Sequence, residues 1–391
     1  MPGKKTNFIK STDRDGVTPQ TLFIDSGSAG EISALLRERG SKRLLILSNK
    51  STLEFRTVEL LLKKYNDDGF RTFSYQRRNI VADSRDIEGA LLTYREYNCD
   101  TIIAIGSTED LFVGKLTAVA ATNPGKYTSF AGVGNVKYDI KTLVAIPTDN
   151  NPYPSTPDAS FFDHETSTWN TCISQIMIPH IVVIDSNMMM RNTNDTMALP
   201  ALNALCMAIE AYLSPLASNH PTYKADATVA IYKILGRLDS LVADNIDLYL
   251  QSKVAVGGFY AGLSTTRLGF GYTYFILHKM QEKYDCPYGT AMGHILVGVL
   301  RELLEFNAEE MAELARMMHF CTPSLDTINA ARSFIESVND IYEKNSPKID
   351  TPMMTPEDRR VIAESVRRSL IDMGFTPRIS ADKLEFLLRT V

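Results

Sequence analysis

The sequence predicts an α/β N-terminal domain with a doubly wound, mostly parallel sheet, followed by an all-α C-terminal domain. Up to residue 186, short β-branched runs alternate with amphipathic helical stretches, the pattern of strands joined by crossover helices. After about residue 187 the strand signal stops and helix follows helix. The length, 391 residues, is enough for two buried cores. The expected domains are therefore 1–186, Rossmann-like, and 187–391, all-helical.

In chain order, TLFIDS (21–26) and RLLILSN (43–49) read as strands, with SAGEISALLRERG helical between them. A helix follows over 52–66, then FRTFSYQ as a strand and a helix over 84–97. TIIAIGS (101–107), TLVAIPT (142–148) and HIVVIDS (180–186) are apolar runs suited to strands covered on both faces. A ligand on such a sheet belongs outside the carboxyl ends of its strands. Helices are expected over 198–215, 222–243, 247–265, 269–284, 290–306, 308–318, 325–344, 356–373 and 381–390. The helix over 356–373 is well punctuated: Thr355 as N-cap, Pro356 at the first helical position, Glu357 and Asp358 in the first turn, and Gly374 at the end.

Composition narrows the partners. The chain is 44% hydrophobic and 22% charged with a net charge of −5 and no basic block, so neither nucleic acid nor an anionic membrane is an expected partner. No apolar run reaches the roughly 18 to 20 residues that span a bilayer, and MPGKKTNFIKS has no apolar core behind its lysines. Five cysteines, odd in number and without a CxxC pair, are used as in a reduced, cytoplasmic chain.

The stretch around which the chain is organised is PALNALCMAIEAYLS (200–214), an almost wholly apolar helix. Asn203 and Met207 lie four apart on one face of it. About seventy residues later comes GFGYTYFILHKMQEKYDCPYGTAMGH, with Tyr274, His278 and Tyr288. In order and spacing these positions resemble the metal-binding positions of the iron-containing alcohol dehydrogenase family. That family uses an aspartate and a histidine four apart, then two histidines fourteen apart; a further histidine four after the third ligand faces the cleft without binding metal. The resemblance extends over nearly the whole chain. It includes IVVIDSNMMMRNTNDTMALPALNALCMAIEAYLSPLA, KADATVAIYKILGRL, GGFYAGLSTTRLGFGYTYFILH, the segment CDTIIAIGSTEDLFVGK at the family's glycine-rich cofactor loop, and TPR at 376–378 near the C-terminus.

Within that resemblance the chemical positions differ. The metal quartet reads Asn203, Met207, Tyr274 and Tyr288, with His278 on the non-ligand position. An amide carbonyl, a thioether and two neutral phenols are poor ligands for divalent iron or zinc, so a metal is disfavoured. The blander reading is that Met207 and the tyrosines fill an old cavity and that His278 is a core histidine. The family's GGGSxxD loop becomes Ala104-Ile105-Gly106-Ser107-Thr108-Glu109-Asp110. Gly106, Ser107 and Asp110 match; Ile105 is expected to crowd a diphosphate, and Glu109 to repel it. Val113 stands where the family has a lysine, and Lys115 comes two later. After Thr148, the family's threonine- and glycine-rich nicotinamide segment is replaced by Asp149-Asn150-Asn151-Pro152-Tyr153-Pro154-Ser155-Thr156-Pro157, whose prolines lack three amide donors. Asn49 stands where the family commonly has an acid that reads the adenine ribose, which leaves both NAD and NADP compatible. The cofactor positions implied by the resemblance are thus Asn49, Gly106, Ser107, Asp110 and Thr148; no cofactor is required by these residues.

Two readings follow. In the first the chain is a pseudoenzyme-like family member that has lost metal-assisted hydride transfer. It would be a ligand-binding, regulatory or partner subunit holding a small molecule in its interdomain cleft, as a homodimer or beside an active paralogue. In the second it is a metal-free NAD(P)H-dependent alcohol or aldehyde oxidoreductase whose proton donor is His278, Tyr274 or Tyr288. Lys115, Tyr153 and His164 complete the candidate cleft residues. Against the second reading, a tyrosine near a histidine is ordinary packing in a chain with 17 tyrosines.

Overall fold

A computed structural model of the chain describes residues 7–10 (backbone only), 20–190, 198–242, 247–284, 292–346 and 353–389. Its strands are β1 (Asn7–Lys10), β2 (Thr21–Ile24), β3 (Arg43–Asn49), β4 (Arg71–Arg77), β5 (Thr101–Gly106), β6 (Gly132–Val133), β7 (Thr142–Pro147), β8 (Asp158–Asp163), β9 (Thr168–Ile173) and β10 (Ile181–Ile184). Its helices are α1 (Ser33–Glu38), α2 (Lys50–Leu53), α3 (Arg56–Asp67), α4 (Ser84–Glu96), α5 (Thr108–Thr122), α6 (Leu199–Tyr212), α7 (Pro221–Leu235), α8 (Leu238–Leu241), α9 (Leu248–Leu268), α10 (Tyr272–Tyr284), α11 (Met292–Met317), α12 (Thr327–Asn345), α13 (Pro356–Asp372) and α14 (Ala381–Leu387).

The chain divides into two compact units, Met1–Arg191 with Ile246–Phe259, and Asn192–Asn245 with Tyr260–Val391. The first is the expected α/β layer structure. Its seven-stranded sheet runs β1-β2-β10-β7-β5-β3-β4, parallel except for the antiparallel β1–β2 pair. Every residue of β5 is buried, as its unbroken apolar run requires of a central parallel strand. On one face Ile46, Ile103, Ile105, Val144 and Val183 pack with Leu36, Val58 and Leu61. This overturns one expectation: the Ile105 side chain points into that core, so it cannot crowd a ligand at the strand end, because alternate strand residues face opposite sides.

A second, three-stranded sheet, β6-β9-β8, was not foreseen. DASFFD and TWNTCI are short and mix polar with aromatic residues, and neither gives the apolar run by which the other strands are read. The expected helix over 52–66 is in fact two, α2 and α3.

Among its described residues the second unit is built of helices and has no strand. Thr355 caps α13 as expected, accepting the Asp358 N–H at 3.2 Å, and Gly374 follows with φ 86°. The helices expected over 290–306 and 308–318 are the two arms of α11, which meet at a kink at Asn307, whose φ is −132°. The break has a local cause. The Asn307 side chain donates to the Leu213 carbonyl at 3.1 Å and accepts from Arg378 Nη1 at 3.0 Å. No helix among the described residues is long and apolar enough to cross a membrane.

Candidate functional site

At the carboxyl ends of β3, β4, β5 and β7 the α/β unit gathers four of the five expected cofactor residues around one carboxylate, that of Asp110. Asn49 closes β3 and caps α2 by accepting the Thr52 N–H at 3.0 Å; its Nδ2 donates to Asp110 Oδ2 at 2.9 Å. Ser107 caps α5, and Asp110 answers by accepting the Ser107 N–H at 3.2 Å. Gly106 has φ 149°, and a Cβ there would overlap the Asp110 carboxylate. Thr148 is placed differently: its N–H joins the Gly106 carbonyl at 3.0 Å and its carbonyl accepts from Met190 at 2.8 Å.

The residue that sequence reasoning missed is Arg77, the last of β4. Its Nε lies 2.7 Å from Asp110 Oδ1, with the two side chains 6% and 0% exposed, and its Nη1 donates to the carbonyls of Asn79 and Ile80. An arginine ending a strand gives no sequence signal that a buried partner waits for it.

The turn at the start of α5 is therefore partly satisfied from within. The Ser107 amide is taken by Asp110 and the Ser107 hydroxyl by Glu109. A helix start binds phosphate through free amides and the positive helix end, and here a carboxylate of the chain already takes the Ser107 amide. Asp149 adds to the negative field. It is fully buried, and burial, reinforced by Glu109 and Asp110, pushes its carboxyl up to about 7 against the pull of the Asn151 hydrogen bonds. As arranged, the carboxylates at this turn disfavour a dinucleotide diphosphate.

The segment after Thr148 is locked in place. Tyr153 is fully buried, edge-on to Phe112 at 4.6 Å between ring centroids, and Ser155 Oγ donates to the Phe259 carbonyl at 2.6 Å. Gly258 lets α9 approach, since a Cβ there would strike the Asn150 carbonyl. Lys115 is used inside this packing rather than in a cleft. Its Nζ donates to the carbonyls of Thr156 at 2.7 Å and Asp158 at 3.0 Å, and burial lowers its amine to about 8. His164 is exposed on the β8–β9 turn.

In the helical unit, Asn203 and Met207 sit one turn apart on α6, 6% and 4% exposed. Tyr274 and His278 sit one turn apart on α10, which packs against α6. Tyr274 is enclosed by aromatic neighbours. Phe270 stacks on it at 4.0 Å, His278 lies at 4.1 Å, and Phe275 meets it edge-on at 5.2 Å. Burial, aided by the neighbouring Lys279 charge, drives the His278 imidazole down to about 3. Burial thus favours the neutral imidazole, a weaker acid than the imidazolium for the proton transfer expected of it in the metal-free oxidoreductase reading. Tyr288 lies outside the described residues.

These donors do not fit a catalytic divalent ion. An amide, a thioether and a phenol packed into an aromatic column supply no anionic or imidazole ligand at 203, 207 or 274. Among the described residues, no group of three or more His, Cys, Asp or Glu is placed to hold a metal.

One carboxylate close to these positions also escaped sequence reasoning. Glu210 of α6 is fully buried and turned onto the first turn of α10, accepting the Thr273 N–H at 3.0 Å and bonds from the Tyr272 and Tyr274 amides. Burial nonetheless pushes it up to about 7. A lone glutamate in an otherwise apolar helix was a readable signal.

A strand-ordered α/β unit with a helical unit whose α6 and α10 carry these positions defines a dehydrogenase-type architecture, and comparison with known proteins makes the class explicit. Residues 19–186 match the family model for iron-containing alcohol dehydrogenase, and residues 197–369 match that for the C-terminal part of the Fe-containing alcohol dehydrogenase family. The chain belongs to the iron-containing alcohol dehydrogenase family. It is 24% identical over 327 residues to a 1,3-propanediol dehydrogenase of Citrobacter freundii, covering 83% of this chain and 84% of the relative. It is likewise 24% identical over 322 residues to a lactaldehyde reductase of Escherichia coli (strain K12), covering 82% and 83%. Its fold is that of a solved 1,3-propanediol oxidoreductase, with a TM-score of 0.83, 21% identity and 99% of both chains covered.

Proposed function

We propose that this chain is a family member that does not carry out metal-assisted hydride transfer and serves instead as a ligand-binding or partner protein. One observation carries the reading: at three metal-ligand positions stand Asn203, Met207 and Tyr274, and Tyr274 is packed between Phe270 and His278. Hydride transfer in such a fold requires a polarised carbonyl held beside a cofactor, and losing either part forfeits most of the rate. The carboxylates around Ser107 weaken the cofactor half of that requirement independently. Fold membership does not restore it, because function resides in the site.

The test uses purified protein with NAD(H) or NADP(H), iron or zinc, and a panel of small alcohols and aldehydes that includes 1,3-propanediol, methanol and lactaldehyde. Cofactor oxidation or reduction should stay at the level of a no-protein blank. Turnover proportional to protein concentration, and lost on chelation, would overturn the proposal.

A further inference from the structure

We infer that the helical unit binds a small monocarboxylate at Arg378, in a cavity that adjoins the α6–α10 positions through Glu210 and Phe270. The TPR tripeptide at 376–378 forms part of the wall of this cavity, with Leu268, Phe270 and Phe375 supplying apolar surface and Glu210 and Asn307 polar surface. Arg378 is half-buried. Its side chain makes one hydrogen bond, Nη1 to Asn307 Oδ1 at 3.0 Å, and no carboxylate among the described residues pairs with it. In the same unit Arg267 has Asp226 at 2.8 Å. A guanidinium carries five N–H donors in a fork that matches a carboxylate; Arg378 lines the cavity, lies 5.8 Å from the centroid of the Phe306 ring, and has no acid beside it among the described residues.

The chain's own carboxylate in the cavity does not fill this role. Glu210 is held by the α10 amides, and Gly271 leaves the room it needs, since a Cβ there would collide with it. The backbone around Arg378 is fixed as well: Tyr272 Oη accepts the Arg378 N–H at 2.7 Å and the Ile379 N–H at 3.0 Å. The site is thus built before any ligand arrives.

Size and lining select the ligand. The cavity measures about 50 Å³. A water needs roughly 10–15 Å³ on this measure and a benzene-sized guest a cavity of about 150 Å³, which points to an acid of about two to four carbons. One end would accept the Arg378 fork, and the alkyl end would lie on Leu268, Phe270 and Phe375. Glu210 disfavours a second negative charge, so a monocarboxylate is preferred to a dicarboxylate.

The test is the thermal melting of the full chain, with calorimetry, in propionate against equal chloride, propylamine and succinate. Propionate alone should raise the melting temperature, with a dissociation constant of about a millimolar. Arg378→Gln should weaken propionate binding about tenfold or more, as expected for loss of hydrogen bonds to a charged group. Leu303 also lines the cavity, and Leu303→Phe, which fills it with apolar bulk, should abolish propionate binding. Propionate acting no better than chloride, or an unchanged response in either variant, overturns the inference. Should Arg378→Gln fail to fold, Leu303→Phe decides alone.

Discussion

The turn at the start of α5 in the α/β unit and the α6–α10 pair of the helical unit are held together in opposite ways. In the first, the polar residues are retained and turned inward: Gly106, Ser107 and Asp110 keep their places, but Asp110 is taken by Arg77, Asn49 and the Ser107 amide. In the second, aromatic packing dominates, with Tyr274 stacked on Phe270 and beside His278. The two regions differ in what holds them. Around Asp110 the arrangement rests on one buried ion pair. At α6–α10 it rests on distributed apolar packing, which no single residue dominates.

The sharpest way to break that contrast is Arg77→Met. Removing one partner of a buried pair leaves an uncompensated charge, here a carboxylate whose side chain is 0% exposed. A loss of about 3–5 kcal/mol is expected, read as a fall in the urea midpoint. A loss under about 1 kcal/mol would mean that Asn49 and the Ser107 amide suffice for Asp110, and the contrast between the two regions would fail.

What could be read beforehand follows the same physics. The central strands were legible because a strand buried on both faces must be apolar along its length, as TIIAIG is. The break in α11 fell at Asn307, between the two helices expected from periodicity. The β8–β9 hairpin was not legible, because its residues serve a small sheet without an apolar run. At the candidate site, residue identity alone gave the reading of Asn203, Met207 and Tyr274 as poor metal ligands. The environment of those residues was hidden: which way Ile105 points depends on strand parity, and the role of Arg77 depends on a partner 33 positions away.

A second pair of variants sets one region against the other through pH. Asp149 and Glu210 both have carboxyls raised to about 7, from ordinary values of 3.8 and 4.5. A raised acid favours the folded state only while protonated. Its contribution is complete below the ordinary value and is lost as pH rises through about 7. His278 has the opposite sign: lowered from 6.5 to about 3, it contributes above 6.5 and its contribution is lost as pH falls. Glu210→Gln should therefore gain on the parent by up to about 3 kcal/mol between pH 4 and pH 8, measured as the difference in unfolding free energy at the two ends. Asp149→Asn should behave alike in the other unit. A Glu210→Gln profile parallel to the parent's would show that the α10 amides hold the carboxylate charged.

The smallest expected effect concerns metal, and it discriminates most sharply between the two kinds of arrangement. Any ligand that binds only the folded chain raises its stability by an amount set by concentration over dissociation constant, about 2.7 kcal/mol at a hundredfold excess. A protein with an aspartate and three histidines at these positions would register zinc or ferrous iron as a clear rise in melting temperature, reversed by a chelator. With Asn203, Met207 and Tyr274 in their place, the parent should melt at one temperature, within error, in excess zinc, in ferrous iron under anaerobic conditions and in chelator alone. A chelator-sensitive rise would mean that this chain keeps a metal through residues other than those three, and α6–α10 could then no longer be read as a packed core.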